Sequence, residues 1–191
     1  ILVSFFGGGT PSKSEVLFWN GNIPWVSPKD MKCDYINDSC DHITEDAIKK
    51  SATNLIKPGA VLIVVRSGIL RHSIPVAINQ VAVTLNQDMK ALVVKKLLTA
   101  EYLKNLILGN QKAFLIEWTK QGATVESIEY ELVANFIIPI PSIQEQHQIA
   151  SYIETKTAAL ALTISRTERE IALMQEYRTR LVSDVVTGKI D

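Results

Sequence analysis

The sequence predicts an α/β (α+β) protein in which a mixed, small-sheet domain is followed by one long α-helix, and three features predict it. Val61-Leu62-Ile63-Val64-Val65 is a continuous, mostly β-branched run, the signature of a strand buried on both faces. Pro139-Ile140-Pro141 forces extended backbone directly ahead of Ser142, because each proline excludes its predecessor from the α region. From there Ile149, Ile153, Leu160, Ile164, Ile171, Met174, Leu181 and Val185 recur at helical spacing. The boundary falls between residues 1–141, a sheet domain, and residues 142–191, a helical arm.

Ile1 to Phe6 reads as a strand feeding the run Gly7-Gly8-Gly9-Thr10-Pro11-Ser12-Lys13. This is no phosphate cradle, because Pro11 removes a donor and no Gly-Lys-Ser/Thr follows. Trp19-Asn20-Gly21-Asn22-Ile23-Pro24-Trp25 holds an Asn-Gly turn, after which Val26 to Met31 continues extended. The tryptophans are expected to pack in the interior, with base stacking as the competing use. Thr44 caps a short helix reaching about Lys50, with Glu45 and Asp46 in its first turn.

Asn54 to Lys57, Pro58-Gly59 and Val61 to Arg66 read as strand, tight turn and buried strand, ending in Arg66-Ser67-Gly68 with Arg71 and His72 just beyond. Further strands are expected at Pro75 to Ile78, Val81 to Leu85 and Ala91 to Lys95. Thr99 starts one helix up to about Trp118, weakened at Gly109 by roughly 1 kcal/mol. Thr119 to Thr124 is a polar loop, and Asn135 to Ile140 a last strand.

Ser142 and Glu145 mark the start of the arm, where a hydroxyl caps an N–H and a carboxylate faces the positive end of the helix dipole. No proline or glycine intervenes until Gly188, so the helix runs roughly 65 Å at about 1.5 Å per residue. Such a helix projects, and its apolar stripe needs a partner helix. The competing reading breaks it once, at Thr155 to Thr157 or Thr163 to Thr167, where β-branched residues cluster. His147, in the first turn, is expected to pack or to contact the hinge.

Composition adds limits. The chain has 191 residues, 47% of them hydrophobic, and no apolar run approaches the length of a bilayer span. It begins without Met and carries no signal pattern, which reads as a piece of something longer. Cys33 and Cys40 do not make a disulfide framework, so a cytoplasmic setting is the default. With His42 they fit no metal-ligand spacing. The zero net charge hides a basic middle: residues 47–125 carry eleven basic and three acidic side chains. That excess suggests a polyanion partner. No catalytic motif is present, with no Gly-x-Ser-x-Gly, His-Glu-x-x-His or Gly-x-Gly-x-x-Gly.

Gly8-Gly9-Thr10-Pro11-Ser12, Ile23 to Asp30, Arg66-Ser67-Gly68, Asn79-Gln80, Leu103 and Pro139-Ile140-Pro141 with Gln144-Glu145-Gln146 together resemble the DNA-specificity (S) subunits of type I restriction-modification systems. The resemblance implies a target-recognition domain reading one half of a split double-stranded DNA site. It implies an arm that pairs antiparallel with a second such helix, from the other half of the subunit or a second copy. It also implies a modification subunit supplying S-adenosylmethionine chemistry and a restriction subunit supplying ATP- and Mg-dependent cleavage, with no cofactor in this chain. One recognition domain with one arm then corresponds to a C-terminal half or a natural half-subunit.

The candidate DNA-binding residues are Lys13, Lys29, Arg66, Ser67, Arg71, His72, Lys120, Gln121 and Thr124. Arg66 and Arg71 bracket a glycine turn, presenting guanidinium forks suited to guanine or phosphate. The competing role for Arg66 is a structural pair with an acidic residue between Asp30 and Asp46. For the whole chain, the competing readings are a non-catalytic interaction adaptor with a coiled-coil arm and, more remotely, a small enzyme with an unrecognised site.

Overall fold

The computed structural model describes residues 2–119 and 126–189, in two compact units divided between His147 and Gln148. In chain order the strands are β1 (Val3–Gly7), β2 (Trp19–Val26), β3 (Tyr35–Ile36), β4 (His42–Ile43), β5 (Val61–Val64), β6 (Val76–Asn79), β7 (Thr84–Leu85) and β8 (Met89–Val94). The helices are α1 (Glu45–Lys50), α2 (Ala100–Gly109), α3 (Gln111–Trp118), α4 (Tyr130–Ala134) and α5 (Ile143–Val186). This is the expected mixed α+β architecture of small sheets followed by one long helix. Among the described residues, no helix is long and apolar enough to cross a membrane.

One sheet has the order β1-β8-β5-β6-β3, antiparallel throughout except that β3 runs parallel to β6. A smaller sheet has the order β4-β2-β7. Leu62 and Val64 of β5 turn one way, into a core with Ala77, Met89, Ala91, Val26, Val83 and Leu85. Val61 and Ile63 turn the other way and are equally buried, since α2 packs across β5 and β6. An unbroken apolar strand is what a sheet covered on both faces requires. The fully buried Asn79 closes the turn ahead of β5: its Oδ1 accepts from Ala60 N, and its Nδ2 donates to Lys57 O and Val81 O.

Several local expectations are corrected. The Asn20-Gly21 pair is a bulge inside β2, with Asn20 at φ 58°, and Trp19 and Ile23 both opposite Ile43. Pro28–Asp30 is a 3-10 turn, because the Asp30 carboxylate accepts from both the N–H (2.9 Å) and hydroxyl (2.8 Å) of Ser27. Of Asn54 to Lys57, only Ile56 pairs, in an isolated bridge to Val83. The helix expected over 99–118 is two helices, since Asn110 leaves helical geometry and its side chain donates to Leu106 O in place of a main-chain N–H. Asn135 to Ile140 forms no strand. Phe136 instead packs edge-on against Phe114 and Trp118, and Tyr102 donates to Pro139 O.

Asp30 makes the 3-10 turn sensitive to acid. Burial pushes its carboxyl up, but the N–H groups of Cys40 and Ser27 and the Ser27 hydroxyl outweigh that and hold it below its ordinary value. The stability it confers is thus complete above about pH 4 to 5 and is lost as the pH falls through the lowered value. Asp30→Asn is expected to cost about 1–2 kcal/mol at neutral pH and to flatten the acid limb of a plot of Tm against pH.

The long helix is unbroken. The Ser142 hydroxyl accepts from Glu145 N at 3.2 Å, as the capping pattern predicts. At the far end Gly188 takes φ 68°, while Gly188 N bonds Val185 O and Lys189 N bonds Asp184 O. This pair of bonds around a left-handed glycine caps the last carbonyls. At the suspected weak places the threonine hydroxyls donate to the carbonyl four residues back, Thr155 to Ser151, Thr157 to Ile153, Thr163 to Ala159 and Thr167 to Thr163. Each is satisfied inside the helix that the competing reading would have it break.

Candidate nucleic-acid interface

The glycine run is held by main-chain contacts. Gly8 lies so close to the β7–β8 turn that a Cβ there would sit 2.0 Å from Asn86 O, so only glycine fits. Gly9 N donates to Leu85 O. Both tryptophans serve this loop: Trp25 Nε1 donates to Gly9 O at 2.9 Å, Trp19 Nε1 donates to Ser12 O at 3.1 Å, and the rings meet edge-on. They pack, as expected, with Trp25 buried and Trp19 partly so. Thr10 then bonds Gln87.

From Gln87 the contacts continue through Asp88. The Asp88 carbonyl accepts from Val65 N and Arg66 N, and its carboxylate lies 3.1 Å from Arg66 Nε. Arg66 also bridges to Ser127, Ser67 N donates to Glu126 O, and the Glu126 carboxylate lies 3.6 Å from Arg71 Nε. Ser67 caps the 3-10 turn Gly68–Arg71 through its hydroxyl, and His72 is exposed directly after it. Arg66, Ser67, Arg71 and His72 thus form one edge, joined to the glycine run by the Asn86–Asp88 turn.

Lys120, Gln121 and Thr124 lie outside the described residues. Their neighbours in sequence, Thr119 and Glu126, belong to this edge: Thr119 pairs with Ile128, two residues past Glu126. Lys13 and Lys29 form a separate group around Asp41. Lys29 bonds Asp41 at 2.7 Å, which raises its pKa, and Lys13 lines a shallow cleft with Trp19, Trp25 and Asp41.

Sequence reasoning named the arginines but placed the partner of Arg66 wrongly. It is Asp88, not a residue between Asp30 and Asp46. The available signal was that Asp88 is the one acidic residue between Asp46 and Glu101. Reasoning from segment charge also overstates the free positive charge of the middle. Lys104 is buried on Asp34 at 2.6 Å, under the ring of Tyr35, and both arginines carry carboxylates. Elsewhere, Cys33 and Cys40 are exposed and His42 bonds Asp38.

Gln146 figures in the sequence reading only within the motif Gln144-Glu145-Gln146, and its structural role is not legible there. It is fully buried, its Oε1 accepting from Thr99 N and its Nε2 donating to Leu97 O and Pro141 O, each at 2.9 Å. His147 beside it is exposed instead of packed. In the second unit, Leu160, Ile164, Ile171, Met174, Leu181 and Val185 are exposed, at 40–71%. Ile153 is partly covered, as is Ile149 at the start of that unit. At about 100° per residue the eight stripe positions fall within roughly 100° of the circumference.

Residues 2–172 match the family described as the type I restriction modification DNA specificity domain. The chain belongs to that family. It is 41% identical over 187 residues to the type I restriction enzyme EcoR124I/EcoR124II specificity subunit of Escherichia coli, covering 94% of this chain and 46% of that protein. To the type I restriction enzyme MjaIX specificity subunit of Methanocaldococcus jannaschii it is 30% identical over 150 residues, covering 77% and 34%. The chain therefore spans less than half the length of these relatives. Two solved structures share the fold. A chain from a study of complex assembly and conformational transition of the type I R-M system gives a TM-score of 0.67 at 20% identity, covering 88% of this chain and 40% of that one. The HsdS subunit from Thermoanaerobacter tengcongensis gives 0.64 at 17% identity, covering 84% and 36%.

Proposed function

We propose that this chain reads one half of a split double-stranded DNA site as the specificity component of a type I restriction-modification enzyme and catalyses nothing itself. The observation that carries this is the family match over residues 2–172, which takes in the sheet domain and most of the long helix. The edge formed by Arg66, Ser67, Arg71 and His72 supports it, since exposed guanidinium groups on rigid turns suit a nucleic-acid surface. In this reading residues 1–141 recognise DNA and residues 142–191 are spacer and dimerisation arm. The exposed stripe of α5 supports antiparallel pairing with a second such helix, from another copy or another half.

The chemistry then belongs to partners in the cytoplasm. A modification subunit brings S-adenosylmethionine and methylates adenine, docked partly on the arm and its root around Gln144 to Gln148. A restriction subunit brings ATP- and Mg-driven cleavage. The adaptor reading draws no support from the family match.

Binding to duplex DNA should weaken by about three orders of magnitude between 50 and 200 mM salt, as expected for six or more phosphate contacts. Methyl transfer from labelled S-adenosylmethionine should require the separate modification subunit. Salt-independent binding, or methyl transfer by this chain alone, contradicts the proposal.

A further inference from the structure

The two arginines at the edge are paired in the same way, each by an ion-pair contact. Each meets its carboxylate through Nε: Arg66 meets Asp88 Oδ1 at 3.1 Å, and Arg71 meets Glu126 Oε1 at 3.6 Å. A carboxylate on Nε occupies the inner side of the guanidinium and leaves the Nη1/Nη2 fork pointing away. Among the described residues, neither fork makes a hydrogen bond.

Exposure is divided accordingly. The Asp88 and Glu126 side chains are 22% and 30% exposed, whereas those of Arg66 and Arg71 are 61% and 64% exposed. Ion pairs with so exposed a cation add little to stability, so holding the fold alone is a weak account of them. An arginine that served only phosphate would gain nothing from an adjacent carboxylate, which cancels the charge that attracts the phosphate. Reading a base edge is different, because the fork must be aimed and the carboxylate aims it.

The anchors are themselves fixed. Asp88 Oδ2 accepts from Asn86 Nδ2 and Gln87 Nε2, and Asp88 N donates to Asn86 Oδ1. Glu126 is held by its carbonyl, which accepts from Ser67 N. The approach of Arg66 is close but off-line, so Asp88 Oδ1 is buried without a hydrogen bond.

We propose that Arg66 and Arg71 each read a guanine through O6 and N7, with Asp88 and Glu126 as positioning residues that hold the two forks end-on. This rests on the DNA-recognition reading above. Phosphate contact is the outcome it excludes.

Selection of bound duplexes from a random pool tests it, using the full-length protein that carries this chain assembled into its methyltransferase. The wild-type assembly is expected to select guanine at defined positions. Arg66→Lys keeps the charge and removes the fork, so it should erase the guanine preference at one position and lower the target-over-random ratio roughly 5- to 150-fold. The salt slope of non-specific binding should be unchanged. Arg71→Lys should do the same at a different position. Asp88→Asn, which keeps an oxygen facing Nε, should keep most of the preference, and Asp88→Ala should lose it while Tm is followed alongside. Intact guanine selection in both lysine variants, or equal weakening on target and random DNA, overturns the proposal. A wild-type assembly that binds no duplex at all overturns the DNA-recognition reading itself.

Discussion

Gln146→Leu is expected to destabilise the sheet domain by about 2–4 kcal/mol, although leucine fills nearly the same space. The side chain it replaces is fully buried and makes three hydrogen bonds, to Thr99 N, Leu97 O and Pro141 O. Leucine leaves a donor and two acceptors facing an apolar group, and the desolvation of each goes uncompensated. Thr99 is also the cap of α2, its hydroxyl accepting from Tyr102 N, so the loss reaches the start of a second helix. Gln146→Glu is the sharper version: it still accepts from Thr99 N but sets a carboxylate against two carbonyl oxygens. At neutral pH it should be worse than leucine, and it should recover partly in acid, where the protonated carboxyl regains one donor. Thermal melts of both variants at pH 5 and pH 7.5 decide it; melting temperatures equal to the wild type would show that Gln146 holds nothing.

Replacing Leu160 and Ile164 together by Asp is expected to weaken self-association through the arm more than 100-fold, because pairing would bury two carboxylates in an apolar seam at several kcal/mol. Both side chains are more than half exposed within their own unit, so the helix itself should survive, as circular dichroism would report. Leu162 is just as suitable for exposure, at 54%, but falls on the opposite face at about 100° per residue. Leu162→Asp is therefore the control. Light scattering over a concentration series compares the three, and a wild-type chain that stays monomeric at high concentration removes self-pairing as the arm's use.

The arm was legible because its signals are local: a proline pair, a capping serine and one apolar period that nothing interrupts. The core strand β5 was legible for the same reason. The small sheet was not, because β2 pairs with β4 through a bulge and with β7 across a long stretch of chain, and neither pairing leaves a local trace. The break between α2 and α3 depends on one side-chain amide displacing one main-chain bond, which periodicity does not register. At the candidate interface, the glycine turn after β5 pointed to Arg66 and Arg71. Asp88 and Glu126 became visible only when the fold brought together segments far apart in sequence.

The edge that carries those arginines is stitched to its neighbours largely by main-chain atoms. Gly9 N to Leu85 O, Trp25 Nε1 to Gly9 O, Val65 N to Asp88 O and Ser67 N to Glu126 O all end on a backbone carbonyl. Such a seam is indifferent to most of the side chains it carries. Mutations at His72 or the arginines can accumulate without breaking those bonds, whereas Gly8 cannot change at all. Selection acting on this protein therefore meets two kinds of position side by side: a fixed glycine and tryptophan framework, and an outward row free to drift until it fits a different ligand.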